Sequence, residues 1–354
     1  MVNLYSKKFT KNDLLKKIGD ISQIARVRHF ELLDGNEKGV EVAQIHTGSG
    51  LIFDILLGRG MDISYAGYKG IPLSWRSATG DVAASYFEPE EFGWLRNFHG
   101  GLLNTCGLTY AGAPCEDEGK KLGLHGRISN TPAKNIYIDG EWQDENYILF
   151  VKGKIKETSV FGENICLTRE ISVKTGESRL FLYDRVENLG YSDIEHMILY
   201  HINIGFPIID EGSVLVSPTE EVIPRDEEAK IGKEDYYKFT LPIHGFKEKV
   251  YYHKMKPDQK GNVCAAIINK KFNNGEGLGV YVKYSIKELP YFIEWKMMNE
   301  GTYVVGMEPS NCLVEGRNKE RKEKRLKFLK PGEIKEYHLE IGVIEGKTQL
   351  SAFK

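Results

Sequence analysis

The chain has 354 residues, with 48 Lys and Arg against 50 Asp and Glu, 37 glycines, and 41% apolar and 11% aromatic residues. A formal charge of −2 gives neither nucleic acid nor an anionic membrane an electrostatic reason to bind. No window approaches about 18 consecutive apolar residues, which excludes a transmembrane helix.

The first predicted element is a short helix at residues 11–18, where Leu14, Leu15 and Ile18 share a face and Gly19 marks the stop. The N-terminal stretch has lysines but no apolar segment, so no secretory signal is expected. From there the strand signal dominates. β-Branched and aromatic runs at 40–47, 51–57, 146–158, 165–174 and 178–190 alternate with Gly-, Asn- and Asp-containing breaks. Further strands are predicted at 195–204, 213–217, 248–253, 263–269, 278–284, 291–298, 302–308 and 334–345. Only short helical turns at 89–95 and 224–230 interrupt them. So many strands with almost no crossover helices predict an all-β chain, a large antiparallel β-sandwich forming one domain over 1–354. The basic run at 317–327 reads as a solvated loop or hairpin before the last strand. Cys106, Cys115, Cys166, Cys264 and Cys312 form no close pair and read as reduced thiols of a cytoplasmic protein.

Polar residues inside apolar, Gly-flanked segments mark candidate chemistry, because burying them uncompensated is costly. Arg59 lies between Gly58 and Gly60, where backbone or ligand can approach closely. Trp94, Arg96, His99 and Asn104 surround the Gly100-Gly101 step. A tryptophan beside hydrogen-bonding groups suits a sugar ring, which is apolar on its face and hydroxylated at its edge. His125 sits between Gly123 and Gly126 with Arg127 nearby. Period-two alternation puts Met197, Leu199, His201 and Asn203 on one strand face, with Tyr200, Ile202 and Ile204 on the other. Glu308 closes a strand of apolar and small residues, where desolvation would raise its proton affinity toward that of a base. A histidine that donates and a glutamate that accepts are the requirement for opening a cyclic hemiacetal. No Rossmann glycine fingerprint or P-loop is present, so no cofactor is expected.

At these residues the chain resembles the galactose mutarotase (aldose 1-epimerase) superfamily, in a less characterised bacterial branch. The resemblance runs from about residue 40 to 345. It is carried by Gly58-Arg59-Gly60-Met61-Asp62-Ile63, Leu124-His125-Gly126, Tyr200-His201, Glu308-Pro309 and Leu329-Lys330-Pro331-Gly332-Glu333. It implies a mutarotase-type supersandwich with His201 as the acid on the ring oxygen, Glu308 as the base on the anomeric hydroxyl and His125 binding substrate. It further implies a small-molecule sugar as ligand, and the chain is compatible with a homodimer. The chain departs from the family pattern around 94–101, after His201, and at 273–279, where no Asp stands. With Trp94 and Asn203 as further sugar contacts, Arg59, Arg96, Arg127 and Lys296 are the cations that would select an acidic or phosphorylated sugar. Two other readings stay open. One is a metal-dependent sugar isomerase using His99, His125, His201 and Glu308. The other is a non-catalytic carbohydrate-binding protein on the same fold.

Overall fold

Two-residue alternation sets the architecture. In the computed structural model, which describes residues 1–353, every predicted strand is present, from Glu41–His46 and Leu51–Leu56 through Ile334–Glu345. Several more were not predicted. Arg26–Glu31 and Lys134–Gln143 are largely exposed and polar, while Asn104–Leu108 is entirely buried yet reads Asn-Thr-Cys-Gly-Leu. Neither composition advertises a strand. The N-terminal helix is shorter than expected, Lys11–Leu15, capped by Thr10, whose hydroxyl accepts from the Asp13 amide at 3.1 Å. Only Leu14 of the helix is buried, against Val2 and Leu4, while Ile18 packs on the same cluster from beyond the helix end.

The strands form three principal antiparallel sheets. Arg26–Glu31, Glu41–His46, Leu51–Leu56, Asp62–Tyr68 and Ile71–Pro72 make one of five strands. An eight-stranded sheet runs from Lys134–Gln143 at one edge to Val214–Val216 at the other. A seven-stranded sheet is ordered Thr219–Pro224, Lys249–Met255, Tyr291–Asn299, Thr302–Ser310, Ile194–Ile204, Lys327–Leu329, with Asn104–Leu108 also pairing to Ile194–Ile204.

The two large sheets share one core. Tyr200, Ile202, Ile204, Phe292, Val305 and Met307 of the seven-stranded sheet belong to the same buried cluster as Leu167, Leu182 and Ile341 of the eight-stranded one. Each such aliphatic side chain contributes about 1.5–3 kcal/mol by leaving water. The opposite face of the seven-stranded sheet carries a second, smaller cluster that includes Trp94, Phe98, Leu199, Val250 and Ile293. It is on this second face that polar residues collect.

The basic run at 317–327 is a helix, Arg317–Lys322, followed by the strand Lys327–Leu329, not a solvated loop. Arg317 and Arg321 reach back to Asp117 at 2.7 and 2.8 Å, and Arg325 pairs with Glu320 at 2.7 Å. The sequence-distant Asp117 and the local Glu320 therefore absorb much of the charge of the run.

Arg169 joins all three sheets. Fully buried on Asn164–Lys174, it donates to Asp184 at 2.7 and 2.9 Å, to Asp62 at 3.0 Å, to the Gly60 carbonyl at 3.1 Å and to Thr105 at 2.9 Å. Tyr200 donates to the same Asp184 at 2.8 Å. Removing the guanidinium would leave two buried carboxylates facing each other. Arg169→Leu is expected to cost roughly 3–5 kcal/mol in urea unfolding. A loss below about 1 kcal/mol, the size of an exposed pair, would contradict the assignment.

Candidate active site

Ile194–Ile204 and Thr302–Ser310 run antiparallel with Ile202 opposite Met307 and Leu199 opposite Ser310, a register that sets His201 against Glu308. His201 Nε2 lies 3.2 Å from Glu308 Oε1, and the side chains are only 7% and 3% exposed. No hydrogen-bond partner reaches His201 Nδ1 or Glu308 Oε1. Glycine at 306 makes the approach feasible, since a Cβ there would lie 2.5 Å from Glu308 Oε1 and 3.2 Å from His201 Cε1.

His125 arrives from a loop, not from the sheet. Its backbone takes a left-handed φ of 56°, held by hydrogen bonds from its amide to Gly112 O at 2.9 Å and from Gly107 N to its carbonyl at 3.0 Å. Gly126 must follow, because a Cβ there would meet Gly107 O at 2.2 Å. The Gly112 amide donates to His125 Nδ1 at 3.4 Å, so that nitrogen keeps its lone pair and Nε2 is the protonated, donating one.

These three side chains line a cavity of about 250 Å³ with Trp94, Phe98, Trp295, Arg225 and Glu248. Its walls are aromatic. Phe98 stacks on Trp94 with ring centroids 4.6 Å apart, and His201 meets Phe98 and Trp295 at 5.3 Å each. Near Glu308, Arg225 donates to Glu248 at 2.9 Å and to Asp226 at 2.8 Å, while the Trp295 indole donates to Glu248 at 2.9 Å. This volume lies below the ~300–1,000 Å³ typical of pockets for drug-sized ligands. It suits one small ring.

Burial governs the protonation of the site. It carries His201 down to about 3, aided by neighbouring His125, and carries His125 down to about 4. Burial, then the Glu248 charge, pushes the Glu308 carboxyl well above its usual range, with Arg225 pulling the other way. Both imidazoles are therefore neutral at pH 7. Burial likewise favours the neutral carboxyl of Glu308 beside the neutral His201 ring.

Of the residues singled out in the sequence, His125, His201, Glu308 and Trp94 meet at this cavity. Trp94 contributes ring surface only, since its indole donates to Ser129 at 3.1 Å. The others do not line it. Arg59 is fully buried and spends its guanidinium on the carbonyls of Ser129, Asn97 and Val82. Lys296 follows Trp295 on its strand and so points to the opposite face, where it donates to the carbonyls of Asp235, Tyr236 and Lys238. Asn203 is buried beside His201, its amide nitrogen donating to Gly100 O and His201 O, both at 3.1 Å. Arg96 is 74% exposed and faces Glu88 at 3.3 Å. Arg127 lines a separate, larger cleft of about 680 Å³ that shares no lining residue with the His201 cavity. That cleft contains no histidine.

His99 is buried against Asn104 at 3.3 Å and does not reach the cavity. Among the described residues no three His, Cys, Asp or Glu side chains converge as a metal-ligand set. Arg225, Glu248, Phe98 and Trp295 were not foreseen as site residues. Alternation along 291–299 would have selected Trp295 over Lys296, whereas Arg225 and Glu248 carry no local signal.

A family model described as a domain of unknown function, DUF4432, matches residues 37–343. No curated protein matches. Among solved structures, a provisionally assigned aldose 1-epimerase from Klebsiella pneumoniae is 25% identical, with 92% of this chain and 85% of that chain covered and a TM-score of 0.87. A galactose mutarotase-like protein from Clostridium acetobutylicum is 13% identical, with 91% and 99% covered and a TM-score of 0.64. A galactose 1-epimerase from Lactobacillus acidophilus is 12% identical, with 91% and 100% covered and a TM-score of 0.58. The fold is galactose mutarotase-like.

The buried carboxyl should weigh on stability. Unfolded Glu308 ionises near 4.5, whereas the folded one keeps its proton to higher pH. Its contribution to stability is therefore greatest at low pH and is lost as pH rises above about 4.5. Glu308→Gln should unfold at a higher temperature than wild type at pH 8, with the gain shrinking toward pH 4.5. A variant less stable than wild type at pH 8 would contradict this.

Proposed function

The chain belongs to the DUF4432 family, and on that premise we propose that it is a cofactor-independent carbohydrate mutarotase, acting in the cytoplasm on an aldose or related sugar. The observation that carries this reading is the His201–Glu308 pair, 3.2 Å apart on one wall of a ring-sized cavity. The similar solved structures, a provisionally assigned aldose 1-epimerase and a galactose 1-epimerase, point the same way.

The chemistry balances without an external group. Glu308, as carboxylate, takes the proton of the anomeric hydroxyl, while His201, as imidazolium, gives its Nε2 proton to the ring oxygen. The bond from the anomeric carbon to the ring oxygen breaks and a carbonyl forms. Rotation about the adjacent carbon–carbon bond presents the other face, and the two transfers reverse to close the ring as the opposite anomer. One proton enters the sugar and one leaves. Reaching the reactive form requires a proton to move from Glu308 to His201 against the direction in which burial shifts both groups, so the bound sugar has to stabilise the charged pair. His125 Nε2–H supplies a fixed donor for a sugar hydroxyl, and Glu248 an acceptor. Trp94, Phe98 and Trp295 offer flat apolar surface to the ring's CH face.

Charge favours a neutral sugar. The only cation on the cavity wall among the described residues, Arg225, is bracketed by Asp226 and Glu248. Arg59, Arg96, Arg127 and Lys296, which the sequence offered for an acidic or phosphorylated sugar, lie elsewhere. All five cysteines are free thiols, in keeping with a reducing compartment.

The test is anomer interconversion followed by NMR saturation exchange over a panel of aldoses. Wild type should accelerate exchange of at least one neutral aldose, indifferent to chelator, and Glu308→Gln should slow it by roughly 10²–10⁴-fold. Tight sugar binding with no acceleration would overturn the proposal in favour of a non-catalytic binding protein. Activity lost to chelator would favour a metal-dependent isomerase.

A further inference from the structure

Asn203 stands two residues after His201 on the same strand face, yet it does not line the cavity. Its amide orientation is fixed, because Nδ2 donates to Gly100 O and to the His201 carbonyl, both at 3.1 Å. Oδ1 is therefore the atom left over. It is buried and has no partner, and the same is true of His201 Nδ1 on the neighbouring side chain. Two buried atoms on neighbouring side chains of one strand face, one a potential acceptor and the other a potential donor, are each unsatisfied, which is costly unless they serve each other. Asn104 faces His201 across the ladder from the other side, its Nδ2 turned to His99 Nδ1 at 3.3 Å and its Oδ1 also without a partner. Asn203, however, is the side chain whose polar contact raises the proton affinity of His201.

We propose that Asn203 is a positioning residue: its Oδ1 accepts the Nδ1–H of His201 and fixes the ring in the tautomer whose Nε2 faces Glu308. This rests on the mutarotase reading of the site. The consequence is specific. With Nδ1 committed as donor, the neutral imidazole presents a lone pair at Nε2 to the carboxyl of Glu308. When the proton of Glu308 crosses to Nε2, the imidazolium formed keeps an acceptor at its far side. An Nε2–H tautomer would instead set the Nδ1 lone pair against the Asn203 oxygen and leave Nε2 unable to take the proton. Asn203 also raises the proton affinity of His201, opposing the burial that lowers it. Asn203 thus acts on the chemistry through His201, not on the sugar.

The experiment uses the full-length chain with ¹⁵N-labelled histidine. In wild type, the neutral His201 ring should show a protonated Nδ1 and an unprotonated Nε2. Asn203→Leu, which keeps the shape and removes the acceptor, should lose that preference and lower kcat by roughly ten- to hundred-fold, the scale of a hydrogen bond to a charged group, with KM little changed. Asn203→Asp, which keeps an acceptor, should retain the tautomer and restore most of kcat. The proposal is overturned if wild-type His201 carries its proton on Nε2. It is equally overturned if Asn203→Leu changes neither tautomer nor kcat, or if Asn104→Leu moves the tautomer and Asn203→Leu does not. The wild-type spectrum decides even where the variants fail to fold. A wild type that shows the stated tautomer but accelerates no sugar would defeat the mutarotase reading and leave the positioning of His201 standing.

Discussion

The arrangement depends on a cation that never meets solvent. Arg169 ties Asp184 of the eight-stranded sheet to Asp62 of the N-terminal sheet and to Thr105 beside the seven-stranded one. Tyr200 joins the same carboxylate from the strand that carries His201. Thr105 adjoins Asn104, which pairs with His201 across the ladder. Three sheets are thereby fixed relative to one another at a point one residue behind the proposed chemistry. An apolar core could hold these layers together with comparable strength. What a directional, fully bonded guanidinium adds is registration, and the site needs it, because hydrogen-bond-length contacts tolerate little sliding.

On the far side of that strand, alternation alone separates structure from chemistry. Tyr200 and Ile202 face the core, whereas Leu199, His201 and Asn203 face the second cluster. The neighbouring strand does the same with Met307 inward and Glu308 outward. Burying an imidazole and a carboxyl together is unfavourable for folding when each is forced toward its neutral form. It also keeps both side chains away from solvent, as the proposed paired transfer to one sugar ring requires. The stability lost to Glu308 and the catalysis attributed to it have the same physical origin.

Much of this was legible in the sequence because β-structure writes its faces in steps of two. The strand set and the antiparallel sandwich follow from alternation and turn residues, whereas the grouping of His125, His201 and Glu308 comes from the family resemblance. The cations were not legible. Arg59 and Lys296 look like ligand binders until their acceptors are known. Those acceptors are backbone carbonyls of Ser129, Val82, Asn97, Asp235, Tyr236 and Lys238, which no side-chain pattern reveals. Arg317 and Arg321 read as part of a solvated charge run because Asp117 lies some two hundred positions away. Arg225 and Glu248 reach the cavity from segments with neither motif nor apolar periodicity. Asn203 was placed on the face that carries His201 but does not line the cavity, since a face does not say whether a side chain meets ligand or neighbour.

The most direct test of the account is a crystal structure of Glu308→Gln soaked with a neutral aldose that the wild type converts. The account predicts one sugar ring against Trp94, Phe98 and Trp295, with its ring oxygen at hydrogen-bond distance from His201 Nε2 and its anomeric oxygen on the side chain at position 308. A sugar seated with its reducing carbon remote from both residues, or held only in the cleft around Arg127, would contradict it.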